Sequence, residues 1–165
     1  MLTKGEAKNT YGTGCFLIVN TGEKPDFSSN ELLTTLSWKL SENDPTVYAV
    51  EGAVETAGAA LRWARDQLGL FNSYGDLSGL LQSVEDTGGV VFVPAFNGLF
   101  APYWRSDARG VIVGLSQHSR RAHVVRAIFE AVCFRTKEVL DAAQRVTPLS
   151  KLKVDGGMTK EPFLL

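Results

Sequence analysis

The first apolar block of the chain, Cys15-Phe16-Leu17-Ile18-Val19, follows directly on Gly12-Thr13-Gly14. The pattern predicts strands over residues 6–11 and 15–20, joined by a glycine-bracketed turn. A strand that is apolar on both faces has to be covered on both, as a central strand of an α/β protein is. After a polar loop from Asn20 to Asn30, the mixture of Leu, Thr and Trp in Leu32–Trp38 and the β-branched and aromatic run Thr46–Val50 predict two further strands. The period then lengthens. Ala53, Ala57, Ala60, Leu61, Ala64 and Leu68 recur at helical spacing with Gly69 as a stop, which predicts a helix over Gly52–Leu68 with Gly58 inside it.

Residues 74–84 predict a short surface helix, and Val90–Val93 and Gly110–Leu115 predict short strands. Between those strands runs Pro94 to Trp104, a loop so aromatic that it has to pack on the chain's own core or on a partner. The longest helix is expected over about Arg120–Arg145, with Val125, Ile128, Phe129, Val132, Val139, Leu140 and Ala143 on one stripe and Pro148 beyond its end. Lys151–Val154 is a strand, and Asp155-Gly156-Gly157-Met158-Thr159 turns it into what should be a new helix of one or two turns. Early strands followed by alternating strands and helices predict an α/β fold: a mixed sheet with helices on both faces.

Composition narrows the function classes. A length of 165 residues suits one domain or two small lobes, and a chain of this size buries roughly 70% of its unfolded surface. The net charge of -1 argues against gripping nucleic acid through phosphates, which needs a basic face. No apolar run reaches the roughly 20 residues of a membrane-spanning helix, and Met1-Leu2-Thr3-Lys4 has no signal-peptide core. Cys15 and Cys133 lie far apart in apolar stretches outside any CxxC, so they read as buried free thiols in a reducing, cytoplasmic compartment. No metal site is expected: His118 and His123 have no Cys, Asp or Glu at ligand spacing and read as solvated or capping residues.

Chemistry is concentrated at the glycines. Glycine lets a ligand approach backbone amides, and Gly12-Thr13-Gly14 adds a hydroxyl at the tip, so the turn is either an ordinary hairpin or a cradle for an anionic oxygen. Gly58, inside a helical pattern, has either close packing or ligand approach as its reason. Asp155-Gly156-Gly157 is either a capped strand-to-helix turn or a second place where backbone comes near a nucleotide. The better-known nucleotide motifs are absent: Leu17 stands where a dinucleotide fingerprint needs its third glycine, and no Gly-Lys-Ser/Thr loop occurs.

Taken together, KNTYGTGCF, VEGAVETAGA, VPAFNGLFAPYW, ARGVIVGLSQ and VDGGMT resemble the C-terminal lobe of the FGGY carbohydrate kinases, in their glycerol-phosphorylating branch, over about Ala7 to Thr159. The spaced set Gly110, Ile112, Gly114, Leu115, His123, Val124, Ala127, Ile128, Phe129 and Glu130 also matches a pattern of that family. The resemblance implies the actin-like, ribonuclease H-like ATPase fold, in which two lobes close on ATP, and residues 1–165 are expected to be a partial C-terminal domain. The N-terminal lobe would be absent and the last helix truncated. The implied reaction moves the ATP γ-phosphoryl to glycerol, giving sn-glycerol 3-phosphate, in an enzyme that is a homo-oligomer.

Carried over by position, the resemblance implies that Thr13 contacts phosphate and that Gly58 and Gly157 face the nucleotide. Phe16 would line the glycerol pocket. Arg62 falls where many members have a nucleotide-touching glutamine, and Glu161 where an asparagine is usual. No catalytic residue is expected in the chain: the aspartate base would precede Met1, and the aspartate that positions Mg2+ would belong to the other lobe. The chain alone is then expected to be inactive. A non-catalytic nucleotide-binding or interaction module, or the lobe of another FGGY polyol or sugar kinase, are the alternative readings.

Overall fold

The structure is a computed structural model that describes all residues from Met1 to Leu165. The early strands form as expected, β1 at Glu6–Tyr11, β2 at Cys15–Gly22, β3 at Leu33–Trp38 and β4 at Val47–Val54. With β7 at Lys151–Asp155 they make a five-stranded sheet in the order β3-β4-β2-β1-β7. Only the β1–β7 pair is parallel, so the sheet is mixed. The chain pairs these strands because their alternate residues face one core: Ala7, Asn9 and Tyr11 on β1 lie level with Val19, Leu17 and Cys15 on β2, and all six are buried.

That core is the apolar stripe of α3, Arg121–Val146, on which Val125, Ile128, Phe129, Val132 and Val139 are at most 1% exposed. Burying each such side chain contributes about 1.5–3 kcal/mol, so this one stripe outweighs any single polar contact in the fold. The helix is covered from two sides. Strands β2 and β4 pack beneath it, and on its flank lies a second, two-stranded sheet of β5, Val91–Val93, and β6, Val111–Val113. The aromatic loop between β5 and β6 packs on this chain's own core: buried Arg135 of α3 donates to the Ala101 carbonyl at 2.6 Å and lies 5.0 Å over the Tyr103 ring. The Trp104 indole N–H donates to the Glu31 carbonyl at 3.0 Å.

Four expectations are corrected. The helix expected from Gly52 begins at Gly58 as α1, Gly58–Asp66, because Gly52, Ala53 and Val54 stay in β4 opposite Leu17, Phe16 and Cys15. Alanines at helical spacing do not oppose a strand when a neighbouring strand offers them a ladder. The surface helix is a 3₁₀ turn at Tyr74–Asp76 followed by α2, Leu77–Gln82, and the last segment forms 3₁₀ turns at Gly157–Lys160 and Pro162–Leu164 in place of an α-helix. Finally, the α/β mixed sheet is present but all three helices gather on the α3 side of it. The other face shows rows such as Leu33, Glu51, Ile18, Lys8 and Lys153, whose mixed charge offers no continuous apolar stripe for a helix; Phe16 there is half exposed. No helix of the structure is long and apolar enough to cross a membrane.

Two features of the core generate predictions. Gly52 sits so tightly under α3 that a Cβ would lie 2.3 Å from Val139 Cγ1 and 2.9 Å from Leu32 Cδ2. Gly52→Ala should therefore cost about 1–3 kcal/mol by overpacking, read as a fall of roughly 2–12 °C in melting temperature, and Gly52→Ala/Val139→Ala should lose less than the sum of its parts. Burial also pushes the Cys15 thiol from its ordinary 9.0 up to about 12 and raises Tyr11 in the same direction. The folded chain then keeps a proton that the unfolded chain releases above about pH 9. This contribution to stability is complete below that pH and is lost as pH climbs toward 12. Urea midpoints measured from pH 7.5 to 10.5 should fall, and the fall should be shallower in Cys15→Ala; equal slopes would show that Cys15 has no part in it.

Candidate functional site

The turn between β1 and β2 is closed by the Gly12 N–H donating to the Gly14 carbonyl at 2.8 Å. Its own carbonyls point the other way, at the start of α1. Gly58 N–H donates to Gly12 O at 3.0 Å, and Ala57 and Ala59 N–H groups donate to Thr13 O at 2.9 Å each. The first turn of a helix leaves its N–H groups without intrahelical partners, and here the hairpin supplies the acceptors in place of a side-chain cap. This contact explains Gly58 physically: a Cβ there would lie 2.5 Å from Gly12 O. Of the turn's amides, Gly12 is thus used internally, while Thr13 N–H has no partner within the chain.

A second segment closes on the same turn from the β7 side. Gly156, at φ +104°, lets the chain leave β7 with its Cα so near Tyr11 that a Cβ would stand 2.1 Å from Tyr11 O. Gly157 and the 3₁₀ turn after it therefore face α1 across the hairpin tip, and Met158 Cγ comes within 3.7 Å of where a Gly58 Cβ would be.

Between these segments lies a groove of about 380 Å³. Thr13, Gly58, Arg62, Gly157 and Glu161, five positions singled out from the sequence, all line it. Thr13 is exposed, and the Arg62 guanidinium approaches its hydroxyl at 3.5 Å, the outer limit of a hydrogen bond. Two cations, Arg62 and Lys160, and one carboxylate, Glu161, give the groove a net positive lining. Like Gly79 on α2, Gly157 has a φ that is not positive, and a Cβ on it would meet nothing within 4 Å. Packing within the chain gives no reason for a glycine there. Phe16 is not part of the groove; it stands on the open sheet face between Thr10 and Ala53.

The floor was not legible from the sequence. Leu61, Leu77, Phe129 and Met158 are buried beneath the opening, and Tyr74 stands at its rim with the Arg65 guanidinium 4.7 Å over its ring. Leu61 is one helical turn from Gly58, a spacing that was available as a signal, whereas Phe129 and Tyr74 arrive only through packing of α3 and the α2 region. His123 takes the capping role: its Nδ1 accepts from Arg120 N–H at 3.0 Å at the start of α3. A second groove, between α2 and the start of α3, holds Arg120 and Arg121 but no position singled out for chemistry.

Known proteins resemble the chain along nearly its whole length. The pattern of the FGGY family of carbohydrate kinases, C-terminal domain, matches residues 7–165. A probable glycerol kinase of Dictyostelium discoideum is 52% identical over 164 residues, and a glycerol kinase of Renibacterium salmoninarum is 56% identical over 163. Each alignment covers 98% of this chain but only 30% and 32% of the relative, so the chain spans about a third of their length. Among solved structures, a Plasmodium falciparum glycerol kinase with ADP superposes with a TM-score of 0.89 at 44% identity, over 98% of this chain and 32% of that one. A xylulose kinase of Rhodospirillum rubrum, 22% identical, shares the fold with a TM-score of 0.80.

Proposed function

The chain belongs to the FGGY family of carbohydrate kinases, and from that premise we propose that its groove is the nucleotide-side wall of a glycerol kinase. The parent reaction carries the γ-phosphoryl of ATP to a terminal hydroxyl of glycerol and yields sn-glycerol 3-phosphate. The single observation that carries the reading is the convergence of Thr13, Gly58 and Gly157 on one groove beside Arg62. The likeness to glycerol kinases along nearly the whole chain supports the substrate.

Each residue has a physical task in this reading. The Thr13 hydroxyl and its unpartnered amide donate to a phosphate oxygen, as exposed donors at a turn do. Arg62, already within reach of the Thr13 hydroxyl, offsets phosphate charge with its guanidinium. Gly157 has no side chain because the nucleotide occupies the space one would take, which is the reason that packing within the chain does not provide. Phe16, outside the groove but only two residues past Gly14, belongs to the polyol side of the cleft.

Phosphoryl transfer also needs a base for the attacking hydroxyl and a divalent cation on the phosphates. Glu161 is the only carboxylate in the groove, and no group of three His, Cys, Asp or Glu side chains in the chain is placed to hold a metal ion. The groove therefore offers no cluster that would hold Mg2+ without help from the phosphates. In this reading the chain is one lobe of a two-lobe catalyst, and the base and the metal ligands come from the other lobe. By itself it binds nucleotide without turning it over.

Calorimetric titration of the chain with ADP tests the reading. Thr13→Val should weaken binding by about 1.5–3 kcal/mol, roughly ten- to 150-fold, the scale of a hydrogen bond to a charged group. Unchanged affinity would remove Thr13 from the site. Glycerol-dependent consumption of ATP by the chain alone would overturn the assignment of base and metal to the other lobe.

A further inference from the structure

One face of the Tyr74 ring is taken and the other is not. The Arg65 guanidinium lies 4.7 Å over the ring, and the Phe71 ring meets it at 5.9 Å with a tilt of 58°. With both neighbours in place Tyr74 is still 48% exposed, and it borders the groove. Its direction follows from the turn that carries it. Leu77, three residues on, is 4% exposed and belongs to the floor of the groove, and side chains at this spacing on a helical turn share a face.

The ring is also held in place. Arg65 donates to the Asp66 carboxylate from Nε at 2.6 Å and from Nη2 at 3.2 Å, so the guanidinium that covers Tyr74 is itself fixed at two points. The backbone on either side is closed by the Ser73 hydroxyl, which accepts from Gly75 N–H at 3.2 Å, and by the Asp76 carboxylate, which accepts from Ser73 N–H at 2.9 Å. The rotamer freedom that a mobile tyrosine loses on meeting a ligand is thus already restricted in the free chain.

Position along α1 decides which part of a ligand meets this ring. Gly58 touches the hairpin, Leu61 and Arg62 line the groove one turn later, and Arg65 covers Tyr74 from a turn beyond that. At 1.5 Å per residue, Arg65 stands about 10 Å along the helix from Gly58, well away from Thr13 and its donors. On the reading of this groove as a nucleotide site, with phosphate at Thr13, the flat heterocycle is the part that extends toward Tyr74. We infer that the base stacks on the open face of Tyr74, leaving the ring between the heterocycle and the Arg65 guanidinium. Aromatic rings of this kind pair by offset stacking, and the contact needs the ring and not its hydroxyl.

The test is calorimetric titration of the unaltered chain, Tyr74→Ala and Tyr74→Phe with ADP, with circular dichroism melts confirming that the variants fold. Tyr74→Ala should weaken ADP binding roughly tenfold or more, and Tyr74→Phe should bind within about threefold of the unaltered chain. The fluorescent analogue etheno-ADP, whose emission is quenched when its base stacks on an aromatic ring, should be quenched on binding to the unaltered chain. ADP affinity unmoved by Tyr74→Ala overturns the assignment. So does a Tyr74→Phe variant as weak as Tyr74→Ala, which would put the contact on the hydroxyl, and so does etheno-ADP that binds the unaltered chain without quenching. Failure of ADP to bind the unaltered chain defeats the nucleotide reading itself, an outcome distinct from binding that ignores residue 74. The fluorescence measurement uses only the unaltered chain and decides the matter even where Tyr74→Ala fails to fold.

Discussion

The approach of Gly58 to the Gly12 carbonyl is the contact on which the site rests. Three N–H groups at the start of α1 have no intrahelical acceptors, and two carbonyls of the hairpin tip take them. The exchange works only at backbone-to-backbone distance, so a side chain at residue 58 would separate the two elements. Once they are joined, Thr13 and Arg62 come from different elements 49 residues apart in sequence and still face the same space. The orphaned polar groups of a helix end and the turn of a sheet thus stabilise each other and shape a wall of the groove together.

Helix α3 provides the rigidity behind that wall. Its residues pack under β2 and β4 on one side and against β5 on another, which places Phe129 under the groove and Val139 against Gly52. The same helix fastens the aromatic loop through Arg135, whose guanidinium reaches both the Ala101 carbonyl and Glu138. A buried guanidinium is costly unless its donors are used, and here a carbonyl and a carboxylate meet them. The apolar floor of the groove and the seating of the loop are therefore two consequences of one packed helix.

Charge is placed where the proposed ligand carries its own. Arg62 stands beside the Thr13 hydroxyl at the hairpin end, and Glu161, four residues past Gly157, lines the same groove. A carboxylate close to a triphosphate would repel it, so the placement of Glu161 on the far side of the 3₁₀ turn bears on how strongly the groove holds a triphosphate. The open face of the sheet mixes apolar residues, Phe16, Ile18 and Leu33, with charged ones, Lys8, Glu51 and Lys153.

The sequence by itself determined the local features. The Gly12-Thr13-Gly14 turn, the two strands flanking it, the apolar stripe of α3 and the glycine pair after β7 all appear where residue order and period put them, since turns and amphipathic stripes depend on neighbours within a few positions. Thr13, Gly58 and Gly157 were matched to nucleotide contacts only through family resemblance. Tertiary structure decided the rest. Ala53 satisfies a helical period and a β ladder equally well, and only the pairing with Phe16 resolves it into β4. Val91–Val93 could have joined the main sheet, but its ladder to Val111–Val113 sets it apart against α3. Phe129 and Tyr74 reached the groove through long-range packing, which no spacing along the chain encodes: a concave site drawn from five separate segments exists only once the elements have closed on one another.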